Sequence, residues 1–348
     1  MNRRELIAAL PAAALAAPAL AQQRAALPPL VSEPALPWTI VAEGLKFPEG
    51  PVAMKDGSLL FVEIERKTVS RLTPSGQVEV VAQLEGGPNG LAVGPDGHIW
   101  IANNGGRFSF AKRGGFNSPG AAPRGFKGGR IQRLILKTGK VETMFEGSQP
   151  LDDPYRDIDF GLIAPDDLVF DRHGGVWISD LGEKPGSGRI YYASRRGLRG
   201  PAPGAVLTIA KSGLNGPNGI GVSPDGRLLH VSMGTSLYAF DIDGPGKLST
   251  RSYPNDGLQA PLWQNSIADS LKVQADGRVA VCSLLRPGGI SVIAGDGKTD
   301  FLGFPDRWVC NLAFGGRDMR DAWIMFSGLG KIAKVRWPSP GLAPAFRA

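Results

Sequence analysis

One short phrase returns along the chain: a polar residue, a short apolar run, and a turn that begins seven residues after the polar residue and commonly reads Asp-Gly. PEGPVAMKDG places Glu49 before Asp56-Gly57, PNGLAVGPDG places Asn89 before Asp96-Gly97, and PDDLVFDRHG places Asp166 before His173-Gly174. PNGIGVSPDG sets Asn218 before Asp225-Gly226, ADSLKVQADG sets Asp269 before Asp276-Gly277, and CNLAFGGRDM is a looser sixth copy around Asn311. Behind the turns come second apolar segments, such as HIWIANN, GVWISD, RLLHVSM and RVAVCSL, and usually two further strands, such as GRIQRLIL and KVETMFEG.

The polar residues of the first five copies lie 40, 77, 52 and 51 apart. Units of about four antiparallel strands at this period predict an all-β fold, a six-bladed β-propeller, because each unit buries its apolar faces only against its neighbours. A pair of β-sandwiches also alternates strands with Asp-Gly turns, but unrelated sandwich strands do not hold one spacing through five copies. The segment WTIVAEGL, from Trp38, precedes the first copy, and the last unit ends in KIAKVRW. These two are predicted to pair, so that an N-terminal strand in the last blade closes the ring and removes its open edges.

Glycine and proline are abundant, 48 and 29 of 348 residues, yet 42% of the chain is hydrophobic and only 20% charged. Such a chain buries a large core and spends its Gly and Pro on turns, which excludes disorder. The absence of a Gly-x-y period excludes collagen, and 2 Cys cannot staple a disulfide scaffold. MNRRELIAALPAAALAAPALAQQ joins a basic start to an apolar run from Leu6 to Leu20 and a small-residue Ala19-Leu20-Ala21 site. Residues 1–21 therefore read as an export signal, too short and too broken by Pro11 and Pro18 for the ~20 residues of a membrane span. Arg3-Arg4 followed by Leu6-Ile7 suits the twin-arginine route as well as ordinary secretion, with a periplasmic or secreted product. Residues 22–37 then form a linker and 38–340 a single propeller domain. Loss of Arg3, Arg4 and Glu5 lowers the formal charge from +7 to about +6, and no basic helix or aromatic-basic motif points to nucleic acid.

In a propeller the first strand of each blade lies nearest the axis, so the residues at its start converge on the channel mouth. Here that set is Glu49, Asn89, Asp166, Asn218, Asp269 and the Cys310-Asn311 pair. Carboxylates crowded at one mouth repel unless some are protonated or a cation neutralises them. Hard oxygen donors favour calcium, ahead of magnesium or manganese, with Glu49, Asn218 and Asp269 together at equivalent points of three blades. A cation there would polarise a substrate carbonyl, and a neighbouring carboxylate, Asp269 or Asp166, would activate water or attack directly. Asn89, Asn103 and Asn104 are further candidates for hydrogen bonds to substrate.

The Glu49-Gly50-Pro51 start, the Asn218-Gly219 and Asp269-Ser270 phrases and the late CNLAFGG resemble the gluconolactonase/regucalcin family of six-bladed propellers, over roughly residues 40 to 337. The resemblance implies a calcium-dependent hydrolase acting on a small-molecule lactone, with Glu49, Asn218 and Asp269 at the metal-ligand positions and Asp269 also the base or nucleophile. The family commonly has Asn-Asp where this chain has Asp166-Asp167, so Asp166 becomes a possible third carboxylate ligand or a group acting on water. A non-catalytic propeller that binds a carbohydrate or peptide, using the metal as a structural pin, is the alternative.

Other chemistry is poorly supplied. His98 and His173 sit at turns at the far end from the mouth and His230 within a second strand, so a Ser-His-Asp triad lacks its base, and no G-x-S-x-G elbow occurs. Cys282 and Cys310 belong to neighbouring blades, either as a disulfide or as two buried thiols. The insertion at 105–130 carries six Lys or Arg, no acid and four Phe, which reads as a mobile lid over the mouth, and the acidic segment from Ser148 to Pro165 overhangs it from the next blade.

Overall fold

The computed structural model describes residues 36–146, 161–198, 207–285 and 288–348. The expected export signal, most of the linker, and residues 148–160 of the acidic segment lie outside the described residues.

Six antiparallel sheets follow one another along the chain. Their inner strands are Pro48–Ala53, Pro88–Val93, Pro165–Phe170, Pro217–Val222, Ile267–Val273 and Val309–Gly315. Each pairs with a second strand that is mostly apolar and buried on both faces: Leu59–Glu63, Ile99–Asn103, Val176–Asp180, Leu228–Met233, Val279–Leu284 and Asp321–Phe326. The reason is visible in blade 1. Leu60 and Val62 pack toward blade 2, while Leu59 and Phe61 pack toward blade 6. A strand covered on both sides by neighbouring blades has no solvent face, so its sequence is a continuous apolar run rather than an alternation.

Six apolar clusters fill the spaces between blades, one per interface. One of them joins Phe61 and Leu72 of blade 1 to Trp323, Met325 and Ile332 of blade 6, so the ring is closed. The predicted closing strand is present: Trp38–Ala42 pairs antiparallel with Lys331–Arg336, with Trp38 opposite Val335, as the outer strand of blade 6. Trp38 also meets Phe326 edge-on at 5.5 Å.

Three features depart from a plain four-stranded repeat. Blade 4 gains a fifth strand, Leu258–Pro261, on Ser236–Gly244. The 105–130 insertion contains a two-stranded hairpin, Phe110–Arg113 with Phe116–Pro119. The propeller also continues beyond residue 340, where the boundary was expected. Gly341 donates to Met319 O and Leu342 to Val273 O, Phe346 meets Phe170 edge-on at 6.1 Å, and Lys55 donates to Ala348 O. The tail thus crosses the end of the ring opposite the mouth. Among the described residues no helix is long and apolar enough to cross a membrane.

Candidate metal centre

The ends of the inner strands share one irregularity. Pro88 pairs with Asn103 but Leu91 with Ile101, so three steps on the inner strand match two on its partner. The same slip separates Pro165 from Leu168, Pro217 from Ile220 and Ala268 from Leu271, and its equivalents follow Glu49 in blade 1 and Val309 in blade 6. A bulge of this kind turns a side chain out of the regular ladder. It sets Glu49, Asn89, Asp166, Asn218, Asp269 and Cys310 at equivalent points around the axis. The sixth position therefore belongs to Cys310, with Asn311 one step further along. The phrase looked centred on Asn311 because the inner strand of blade 6 runs one residue further beyond Cys310, to Gly315, before its turn, in which Met319 holds the positive φ, +57°, that Gly holds in the others.

Glycine follows the mouth residue where inner strands crowd one another. A Cβ on Gly90 would lie 2.6 Å from Asp167 Oδ1 and 2.7 Å from the Asp166 carbonyl, and Gly219 lies equally close to the backbone of Ser270 and Leu271. These contacts pull the first layer of side chains together.

The carboxyl groups converge. Oxygens of Glu49 and Asp269 and the sulfur of Cys310 all lie within 4.8 Å of one another. Glu49 Oε2 accepts from Gly50 N at 2.6 Å and from Asn311 Nδ2 at 2.8 Å. Asp166 accepts from Asn89 Nδ2, and Asp269 from the Cys310 thiol and the Asn218 amide. Burial raises the Asp269 carboxyl above the usual carboxylate range, and Asp167 adds to the rise. Burial first, then repulsion from Asp269, pushes Glu49 well up. Asp166 is raised in the same way, by burial and then by Asp269 and Glu49. A cluster of acids that resist ionisation alone is one that a cation would ionise and hold. Asn218 Oδ1 points the same way, being a buried acceptor with no hydrogen-bond partner beside Asp269. The structure thus brings Glu49, Asp269 and Cys310 together, with Asn218 hydrogen-bonded to Asp269 and Asp166 close enough to feel both carboxyl groups.

The asparagines divide. Asn89 is used on Asp166. Asn103 was expected to reach substrate, but its capacity is spent: Oδ1 accepts from Gly87 N and Gly105 N, and Nδ2 donates to Glu85 O and Gln132 Oε1. It does what Asp180 does in blade 3, where the carboxylate holds Ile163 N, Ala164 N and Gly182 N. Both face the proline that starts the inner strand, and both fasten the loop before it. Asn104 turns its Oδ1 to Gly106 N and Arg107 N and leaves Nδ2 buried without a partner, so its donor is free for a ligand.

Sequence reasoning missed the serines that fix the mouth. Ser179 Oγ donates to Asn218 O, Ser232 Oγ to Asp269 O and Ser327 Oγ to Pro48 O, each reaching from a second strand, or the residue just past its end, to the inner strand of the next blade. The signal was a serine near the end of WISD, HVSM and MFSG, legible only once the blades are ordered in space. Also missed was Lys272, whose Nζ lies 3.5 Å from Asp167 Oδ2.

The insertion is anchored at the mouth end, on residues that precede the inner strands of blades 1 and 6 or follow the second strand of blade 6. Phe110 meets Phe47 at 5.0 Å, Asn117 N donates to Gly328 O, Trp308 Nε1 donates to Ser118 Oγ, and Arg307 lies over the Phe116 ring at 5.0 Å. Two of the four phenylalanines thus dock the hairpin on blades 1 and 6 instead of awaiting a substrate. Cys282 and Cys310 are free, buried thiols.

His230 is a packed strand residue, 3% exposed, with Nδ1 3.1 Å from Gln259 Oε1. Burial depresses it to about 4. The folded site stays neutral while the unfolded chain takes up a proton below about pH 6.5, so its contribution is intact above that value and is lost as pH falls toward 4. The loss amounts to about 3 kcal/mol. Urea midpoints for the native chain and His230→Gln should therefore converge between pH 6.5 and 4; parallel curves would contradict the burial of a neutral imidazole.

The SMP-30/Gluconolactonase/LRE-like region is matched by residues 47–327. The gluconolactonase of Zymomonas mobilis is 25% identical over 329 residues, covering 86% of this chain and 81% of its own. Among solved structures, a gluconolactonase from Xanthomonas campestris superposes with a TM-score of 0.64 at 18% identity, covering 86% of this chain and 89% of its own. The calcium-binding protein regucalcin from Agrobacterium tumefaciens superposes at 0.63 and 16% identity, covering 88% and 97%. The repeated blades, the ring of mouth residues and these likenesses agree, and the chain belongs to the SMP-30/gluconolactonase/LRE-like family.

Proposed function

We propose that this protein is an exported lactonase that depends on a divalent cation, calcium in the first place, held by Glu49, Asp166, Asn218 and Asp269. The observation that carries the reading is the meeting of three buried carboxyl groups and the unpartnered Asn218 Oδ1 on one axis. The gluconolactonase relative supplies the reaction class, opening of a cyclic ester by water. When bound, the cation supplies Lewis acidity toward the carbonyl oxygen of the lactone.

The chain's own groups do the rest. Asp269, or Asp166 beside it, takes a proton from the attacking water as the new C–O bond forms. The ring C–O bond then breaks, and the departing oxygen recovers that proton to give the hydroxy acid. Asn89 fixes the orientation of Asp166, and the free Nδ2 of Asn104 offers a donor to substrate hydroxyls. Ser179 and Ser232 hold the Asn218 and Asp269 backbones, so the cluster is preorganised before substrate arrives.

Acid release from a panel of sugar lactones, followed in a pH-stat with and without a chelator, tests this reading. Turnover that disappears with chelator and returns with calcium is expected. Thermal stabilisation by calcium without turnover on any lactone would overturn the enzyme reading and favour the metal-pinned binder.

A further inference from the structure

Below the mouth the channel changes character. A cavity of about 480 Å³ runs down the axis, walled by all six inner strands and bordered at its far end by the tail residues Leu342–Phe346. Three residues below the mouth position, the ring reads Val52, Ala92, Val169, Gly221, Lys272 and Ala313. The next ring, Ala53, Val93, Phe170, Val222, Val273 and Phe314, is apolar throughout. Lys272 is thus the single charged side chain in two rings of small and apolar ones.

The ammonium of Lys272 has three N–H donors, and its one carboxylate neighbour among the described residues, Asp167 Oδ2, stands at 3.5 Å. A well-formed charge-assisted bond is nearer 2.8 Å, so Lys272 keeps capacity for another anion. The side chain is 30% exposed although it lies inside the ring. At the outer lip the acids are engaged, and Arg172 borders the cavity at its exposed rim. Asp171 holds Tyr192 OH and the amides of His173 and Gly175, and Asp243 pairs with Arg251.

A space of this size with apolar walls and one convergent charge has the form of a small-molecule site. Within the two rings no side chain but Lys272 is polar, and a cavity with mostly apolar side chains favours an apolar guest. We propose that the lower channel is a second binding site, separate from the mouth, for an aliphatic monocarboxylate whose carboxylate meets Lys272 and whose chain lies along the apolar rings toward the tail.

Calorimetric titration of the calcium-loaded protein with decanoate and with decanol tests this. Decanoate should bind with one-to-one stoichiometry, and Lys272→Met should weaken it at least tenfold while leaving decanol unchanged, which also certifies that the variant's cavity is intact. Lys272→Arg should retain most of the preference for decanoate. The decanoate titration repeated in chelator should give the same affinity. No binding to the native protein, equal binding by native and Lys272→Met, or binding that vanishes with chelator and so belongs to the mouth, would each overturn the proposal. Calcium-induced thermal stabilisation, read on the same samples, reports separately on the metal centre.

Discussion

Asp269→Asn should lower kcat/KM for lactone opening by about 10³-fold at saturating calcium, within the range lost with a general base or a key electrostatic group. The amide keeps the shape and one acceptor oxygen, so the bulge between Ala268 and Leu271 and the Ser232 contact to the Asp269 carbonyl should survive. What it removes is a negative charge that Glu49, Asp166 and Cys310 all experience. In chelator the variant should therefore melt no lower than the native chain, whereas its stabilisation by calcium should shrink. This split distinguishes a lost reacting group from a damaged fold. Retention of more than a tenth of native turnover would remove Asp269 from the chemistry and leave Asp166 as the base.

Deletion of residues 36–43 should abolish soluble folding. The strand Trp38–Ala42 is short, but it covers the edge of Lys331–Arg336, and Leu36 and Trp38 pack on the cluster between blades 5 and 6. Trp38 is half-buried, so its loss alone costs less than the roughly 3–5 kcal/mol of a fully buried Trp. The paired backbone and the closing of the ring add to it, against a total margin of about 5–15 kcal/mol for a typical domain. The uncovered edge would also pair with other copies. Trp38→Ala, which keeps the backbone pairing, should remain folded and melt a few degrees lower. A deletion variant that stays monomeric with an unchanged melting temperature would show that the ring does not need this strand.

Much of the architecture was legible because a blade is a local object. Glu49 and Asp56-Gly57 are parts of one hairpin, and the spacing between them is set by strand length alone, so it repeats wherever the hairpin does. The closing strand was legible for a similar reason, since Trp38–Ala42 and Lys331–Arg336 were left over once the copies were assigned.

Long-range features were not legible. Asn103 looked like a ligand because it ends a strand at the mouth. Its saturation by Gly87, Gly105, Glu85 and Gln132 depends on how two loops fold back. The insertion read as a lid because cations and phenylalanines without acids suit one, yet its docking partners, Phe47, Trp308, Arg307 and Gly328, come from blades at opposite ends of the chain. The tail past residue 340 carries Pro and Gly but no strand pattern, so nothing local announced that it crosses the ring. Lys272 sits in an ordinary strand phrase and stands out only against its five counterparts. Cys310 was placed beside Asn311 in sequence, and only the register of blade 6 separates them.

On the proposed reading, side chains from four blades hold one cation at the channel mouth. A crystal structure of the protein soaked in calcium tests it most directly. A single strong peak on the axis is expected, bound by oxygens of Glu49, Asn218 and Asp269 with Asp166 alongside, at calcium–oxygen distances of about 2.3–2.6 Å. A mouth that holds only water at saturating calcium, with Glu49 and Asp269 hydrogen-bonded to each other as neutral and ionised acids, would contradict it.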